Sequence, residues 1–186
     1  MKEIMPEIHL DIDTQWLAAA KAKDASAFKN LVIKHQAMVF SIARNLTNNS
    51  AVAEELAQDV FMRLYENIHR IESPQHLLFW LRRTSSNRGI DFLRRNKSSL
   101  NVPLNEMADV HASESGKDIM LAELLKKLVS ALPAKYRAVI TLRYQEDLLP
   151  NEISGVLDMP LNTVKSALQR SLSLLKRKLA KTREGL

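Results

Sequence analysis

Cysteine is absent from this chain, which removes a disulfide scaffold, a thiolate zinc site and a cysteine nucleophile together. The same absence fits a reducing cytoplasm. Glycine occurs only 4 times in 186 residues, too few for the positive-φ turns that an all-β chain needs. No uninterrupted apolar run is longer than Leu77–Leu81, whereas a membrane helix needs roughly 20 such residues. The first residues, MKEIMPEIHLDID, carry acids where a signal peptide needs an apolar core, so export is not expected and a cytoplasmic location is. No glycine-rich phosphate loop is present, which excludes nucleotide hydrolysis by a P-loop.

What is there is ordinary in amount and uneven in placement. A hydrophobic fraction of 46% suits a folded chain, and the length allows one domain or two small ones. The formal net charge is +6, which favours a polyanionic partner without proving one. From Phe79 to Ser98, Arg82, Arg83, Arg88, Arg94, Arg95 and Lys97 face one acid, Asp91. From Pro160 to Leu186, Lys165, Arg170, Lys176, Arg177, Lys178, Lys181 and Arg183 face only Glu184. From Asn101 to Asp118, between the two blocks, Glu106, Asp109, Glu114 and Asp118 outnumber Lys117.

Apolar spacing predicts helix throughout. Thr14 is the expected cap of a short helix reaching Lys23, and Asp24 caps the next. That second helix places Phe28, Leu31, Val32, His35, Val39, Ile42 and Leu46 on one face, in steps of three and four. Asn48, Asn49 and Ser50 make a turn, with Ser50 as the expected cap. The third helix buries Ala53, Leu56, Ala57, Val60, Phe61, Leu64 and Ile68 and shows Glu54, Glu55, Asp59 and Arg63 on its other side. Glu72, Ser73 and Pro74 break the chain before a fourth helix over about 75–96.

Residues 98–117 read as a flexible linker, rich in serine and without periodicity. The expected fold is therefore all-α: two small helical domains, 1–97 and 118–186, joined by that linker. In the second, a helix begins at Asp118 and runs through Leu121, Leu124, Leu125 and Leu128. Pro133 opens another, in the first-turn position that suits proline. A short helix then runs from Pro150 to about Leu157. After the turn Asp158–Met159–Pro160, a last helix turns Val164, Leu168, Leu172, Leu175 and Leu179 inward.

The short helix, tight turn and long basic helix form a helix-turn-helix pattern. In such a unit the second helix enters the DNA major groove, with its first turns on base edges. The outward positions there are Asn162, Lys165, Ser166, Gln169 and Arg170. Lysine and arginine donate to guanine acceptors, and glutamine pairs with adenine. The bland alternative is a helical hairpin with a solvated basic face. The other basic block, FWLRRTSSNRGIDFLRRNKSS, mixes rings, arginines and small polar groups, a combination that suits unpaired nucleic acid. Its plain alternative puts Phe79 and Trp80 in the core and the arginines in solvent. Glu54, Glu55 and Asp59 fit a soluble face, or a dock for a basic partner, better than a di-metal site, because no histidine stands three residues from a glutamate among them. No metal, cofactor or catalytic residue is expected.

Four segments, DASAFKNLVIKHQAMVFSIARNL, AEELAQDVFMRLYENI, FWLRRTSSNRGIDFLRR and the stretch from LPAKYR to LLKRKL, in this order and spacing, resemble a bacterial RNA polymerase sigma factor of the extracytoplasmic-function type. The resemblance spans about 14–181. It implies a non-enzymatic factor whose region 2 is 1–97 and whose region 4 is 118–186. Its implied partners are core RNA polymerase (through the β′ clamp helices and the β flap), promoter DNA, and an anti-sigma protein. On this chain it implies that Glu55, Leu56, Gln58, Asp59 and Arg63 bind the polymerase. It implies that Ile71, Trp80, Arg83, Asn87, Arg94 and Arg95 serve the minus-ten element, with a base captured between Asn87 and the loop at about 69–75. Asn162, Lys165, Ser166, Gln169 and Arg170 would then read the minus-thirty-five element. Three departures stand out. Ser85 and Ser86 occupy positions where the family often has alanine and arginine, Ala167 replaces an arginine, and Leu149–Pro150 replaces a serine–aromatic pair. The alternative is a helix-turn-helix regulator that binds duplex operators without polymerase.

Overall fold

The computed structural model describes residues 5–96 and 123–184. Its helices are α1 (Met5–Lys21), α2 (Ala25–Thr47), α3 (Ser50–Asn67), a 3-10 turn (Ile68–Arg70), α4 (Pro74–Arg95), α5 (123–130), α6 (Ala134–Tyr144), α7 (Pro150–Leu157) and α8 (Leu161–Glu184). No strand occurs among the described residues. The expected linker, and the expected helix start at Asp118 with Leu121, lie outside them. The chain divides into two compact units, Met1–Arg44 with Asn49–Gly89, and Asn45–Asn48 with Ile90–Leu186.

With so few glycines, the helix ends use other residues at positive φ. Lys23 (φ 68°) closes α1: its N–H donates to the Ala20 carbonyl and that of Asp24 to the Ala19 carbonyl. This is the paired-bond stop usually built around glycine. Asp24 then caps α2 as expected, its Oδ1 accepting from Ser26 N at 2.8 Å and Ala27 N at 3.2 Å. Two expected caps move. Thr14 lies inside α1, which begins at Met5, about two and a half turns earlier. Asn49, not Ser50, caps α3, accepting from Val52 N at 3.2 Å; its side chain reaches the third N–H of the helix, and Ser50 is already helical.

The first unit is built on Leu17, Leu31, Val39, Val60, Leu64, Ile68, Ile71, Leu77 and Leu81, with Trp16, Phe28, Phe61 and Trp80 packed around them. The helical periodicity of α2 and α3 thus marks their buried faces correctly. Each fully buried aliphatic side chain contributes about 1.5–3 kcal/mol relative to exposure, so this cluster supplies the main cohesion of the unit. α1 is tied to α2 by Lys34, whose Nζ lies 2.6 Å from both carboxylate oxygens of the buried Asp13. Next to that pair, His35 is buried with its Nε2 unpartnered.

Burial holds the His35 imidazole below its ordinary value of 6.5, helped by the charges of Lys34 and Arg82 and opposed by Asp13. The unfolded chain therefore takes up this proton first as pH falls. Stability contributed by the neutral ring is intact above 6.5 and is lost as pH drops from there through the lower folded value. His35→Gln is expected to flatten that part of a stability-against-pH curve measured by urea unfolding. An unchanged acid limb would remove His35 as its source.

In the second unit, Leu128, Leu132, Ile140 and Leu175 form the centre, with Leu124, Tyr136, Leu168, Leu174 and Leu179 against it. Pro133 stands at the cap of α6, one residue before its expected place. The buried Arg137 donates to the carbonyls of Ser130 and, at 3.3 Å, Leu132, which ties down the turn between α5 and α6. On α8, Leu172 is 43% exposed rather than inward, while Ser171 is buried and its hydroxyl donates to the Ala167 carbonyl at 2.7 Å. The row Val164–Leu168–Leu172 drifts off the buried line of α8, because a strict step of four does not match 3.6 residues per turn.

Candidate nucleic-acid and protein interfaces

α7 and α8 form the expected helix-turn-helix, and its turn is held from both sides. Asp158 adopts the left-handed conformation (φ 52°, ψ 53°), and the N–H of Met159 donates to the Ser154 carbonyl at 3.0 Å. The Ser154 hydroxyl donates to the Met159 carbonyl at 2.6 Å. Ile153, Val156 and Leu157 of α7 and Val164 and Ala167 of α8 are buried. At the start of α7, Glu152 accepts from the Leu149 N–H at 2.6 Å, the half of a capping box that needs no serine. Pro150 occupies the first turn, where no N–H is needed.

This scaffold leaves Asn162, Lys165, Gln169 and Arg170 exposed along α8, with Ser166 half-buried between them. The Ser166 hydroxyl donates to the Thr163 carbonyl at 3.0 Å. Ala167 is only 3% exposed. The missing arginine thus falls on the packed side of the helix, and its replacement bears on packing rather than on a phosphate contact.

In the first unit, α3 presents Glu54, Glu55 and Gln58 to solvent, with Leu56 half-buried. Asp59 is not a free acid. Its Oδ2 lies 3.0 Å from Arg63 Nε and 2.6 Å from Arg88 Nε, which braces α3 against α4. The two arginines offset its charge, so the open negative charge sits at Glu54 and Glu55. Periodicity placed Asp59 on the outer face but had no means of seeing Arg88.

Beside these acids lies an apolar groove between α2 and α3 of about 980 Å³, in which Phe28, Val32, Phe40, Phe61, Met62 and Tyr65 take part. Met62 and Tyr65 are 62% and 58% exposed, and Phe28 meets Tyr65 edge to face at 5.2 Å. An exposed apolar trough of this kind is a candidate interaction surface. The sequence reading missed it. Its one signal was the pair Met62 and Tyr65 on the side of α3 otherwise read as polar.

On α4, Asn87 is exposed, Trp80 and Arg83 are half-buried, and Arg94 and Arg95 are exposed on the last turn. Arg94 lies 3.6 Å from Asp91. Trp80 packs on the core while Phe79 is 38% exposed, so the two rings divide between the plain reading and the contact reading. Ser85 and Ser86 are both buried, and Ser85 donates to the Leu81 carbonyl at 2.7 Å. Their departure from the family pattern is therefore internal and leaves the outward position of Asn87 alone.

Ile71 requires a correction. It is fully buried in the core, and its N–H donates to the Ile68 carbonyl at 3.1 Å. Its side chain has no surface to offer DNA, and it acts instead as the anchor of the loop. The surface of that loop is His69, Arg70 and Glu72. Its exit is fixed by Ser73, whose hydroxyl accepts from His76 N at 3.1 Å, and by the Glu72 N–H, which donates to His76 Nδ1 at 3.2 Å.

Among the described residues, no group of three or more histidine, aspartate or glutamate side chains could hold a metal ion, and no helix is long and apolar enough to cross a membrane.

Comparison with known proteins agrees with this geometry. The family model for sigma-70 region 2 matches residues 31–99, and that for sigma-70 region 4 matches 122–175. The ECF RNA polymerase sigma factor SigW of Bacillus subtilis is 28% identical over 172 residues, covering 86% of this chain and 92% of that protein. The ECF RNA polymerase sigma-E factor of Escherichia coli is 27% identical, covering 80% and 84%. Among solved structures, CnrH in complex with the cytosolic domain of CnrY superposes with a TM-score of 0.68 at 19% identity, covering 91% of this chain and 98% of that one. RpoE of Bartonella quintana, crystallised with the anti-sigma factor NepR, gives 0.61 at 21%, covering 82% and 96%. The chain belongs to the sigma-70 family and is an RNA polymerase sigma factor of the extracytoplasmic-function type. As a member of that family it is a polymerase-binding, promoter-directing factor rather than a stand-alone operator-binding regulator.

Proposed function

We propose that region 2, taken as 1–97, docks on the β′ clamp helices of core polymerase through Glu55, Leu56 and Gln58 together with the groove beside them. Asp59 and Arg63 hold that face in shape. An acidic rim around an apolar trough suits a basic, amphipathic helical partner. Region 4, taken as 118–186 and joined through 98–117, reads the minus-thirty-five element with Asn162, Lys165, Ser166, Gln169 and Arg170 and meets the β flap. Asn87, with the surface of the 69–75 loop, takes up a base extruded from the minus-ten element. Trp80, Arg83, Arg94 and Arg95 line the path of the unpaired strand. The factor performs no catalysis itself and acts in the cytoplasm. An anti-sigma protein is its expected regulator, as NepR is named for the Bartonella quintana factor.

The observation that carries this reading is the coexistence of two surfaces that a duplex reader would not need together. α4 sets exposed polar and basic groups beside half-buried rings, and α3 borders an exposed apolar groove. The direct test is transcription in vitro by core polymerase plus this protein on genomic DNA, with the RNA starts sequenced. Starts that share two spaced promoter elements are expected. Failure to co-purify with core at low salt would overturn the reading.

Lys165→Ala and Gln169→Ala are expected to change preference at particular minus-thirty-five bases, by about 1–3 kcal/mol where the contact is bidentate. Competition binding across a set of single-base variants would show this. An equal loss on every sequence would reduce either side chain to a phosphate contact.

A further inference from the structure

α4 begins at a cap closed by an unusual partner. Ser73 holds the first turn twice: its carbonyl accepts from Leu77 N at 2.9 Å, and its hydroxyl accepts from His76 N at 3.1 Å. Pro74 fills the first helical position, where no N–H is needed. The return bond of such a cap comes from the third helical position, ordinarily a glutamate or glutamine reaching back to a backbone N–H. Here that position is His76, and its Nδ1 accepts from the Glu72 N–H at 3.2 Å. An imidazole differs from an amide or a carboxylate in one respect. A ring nitrogen accepts only while it carries no proton, so this bond requires the neutral ring with its proton on Nε2.

The bond falls where the loop between the 3-10 turn and α4 is held. At the near side, Ile71 is sunk in the core and its N–H donates to the Ile68 carbonyl at 3.1 Å. At the far side, the backbone of Glu72 is fastened to α4 through the half-buried ring of His76. The charged and titratable groups of the loop, His69, Arg70 and Glu72, are exposed. Among the described residues, no ion pair engages any of them or His76, and α1 and α3, which pack against the 3-10 turn, send no hydrogen bond to that ring. One turn further along α4 stand Phe79 and Trp80, which carry no charge. A proton on Nδ1 therefore sets donor against donor at the Glu72 N–H. The Glu72 carboxylate is the one anion at hand, and an exposed pair with it contributes little and leaves the backbone unfastened.

We propose that His76 is a positioning residue for promoter opening: its neutral ring clasps the Glu72 backbone and keeps the 69–75 loop in the shape that takes up the extruded base, so that opening weakens when the ring is protonated. The inference rests on the base-capture role proposed above. His76 acts through the loop and not on the DNA. Promoter opening thereby acquires an acid-sensitive step between about pH 5 and 8, the interval in which histidine changes charge.

The test is the yield of open complexes on a fully duplex promoter, formed by holoenzyme made with the full chain, at about pH 8 and about pH 5.5. His76→Asn keeps an acceptor oxygen where Nδ1 stands and does not titrate, whereas His76→Ala has no acceptor. Each yield is divided by that of His76→Asn at the same pH, which cancels the effects of acid on the polymerase and on the other histidines. Wild type is expected to match His76→Asn at the higher pH and to fall roughly three- to tenfold below it at the lower, the contribution of one hydrogen bond. His76→Ala should lie below it by a similar factor at both. Core binding should be equal for all three, because a general loosening of the fold would lower it as well. A wild-type ratio that ignores pH, an asparagine variant as impaired as the alanine variant at the higher pH, or a parallel loss of core binding would overturn the clasp. If wild-type holoenzyme opens no promoter even at the higher pH, the base-capture role itself fails, a result distinct from normal opening with a flat ratio.

Discussion

Asp59→Lys is expected to weaken assembly with core polymerase roughly tenfold or more, because like charges brought together across an interface cost several kcal/mol. The structure adds a second route to the same loss. Asp59 holds Arg63 and Arg88, at 3.0 and 2.6 Å, so a lysine there would set three cations together and loosen α3 from α4. Two companions separate the routes. Asp59→Asn removes the brace without adding charge, and since partly exposed pairs contribute at most about 1 kcal/mol, it should cost little. Glu55→Lys leaves the brace intact and reverses a charge on the open rim. A titration of labelled core should therefore rank Asp59→Lys and Glu55→Lys as weak binders and Asp59→Asn as nearly normal. If Glu55→Lys binds normally while both Asp59 variants fail, α3 contributes a folded shape and not a docking charge.

The second large effect is expected at Asn87. Extruding a base costs a few kcal/mol, and a pocket that hydrogen-bonds its edge offsets part of that. Asn87→Ala should reduce open complexes on a fully duplex promoter by about 10- to 100-fold, the equivalent of 1–3 kcal/mol for one lost polar partner. Binding to core should be unchanged, since Asn87 is exposed and carries none of the packing of α4. A template already unpaired at the minus-ten element should recover most of the loss. Normal opening on duplex DNA would take Asn87 out of the pocket. A defect that persists on the unpaired template would place its role after melting.

The limits of the sequence reading follow the physics of each element. α2 and α3 were legible because one repeated step sorts side chains into two faces, and Leu31, Val39, Val60 and Leu64 are indeed buried. Asp24 was legible as a cap because its bonds reach only two and three residues ahead. Thr14 and Ser50 misled because several capping residues lay close together, and the choice among them rests on how the incoming chain is packed. Leu172 misled because a step of four drifts around a helix, and two such steps from Val164 leave the buried side that Ser171 and Leu175 keep. Ile71 lay in a short loop between breakers, where no period announces whether a side chain points in or out.

The amino-acid order alone determined the helices, the separation of acid from base along the chain and the helix-turn-helix, because those depend on residues within a turn or two of one another. Folding decided the rest. It committed Asp59 to two arginines, sank Ile71, and opened the apolar groove of α2 and α3. Each of these requires side chains from different helices to arrive at the same place, and that coincidence is a property of packing in three dimensions, which no local pattern encodes.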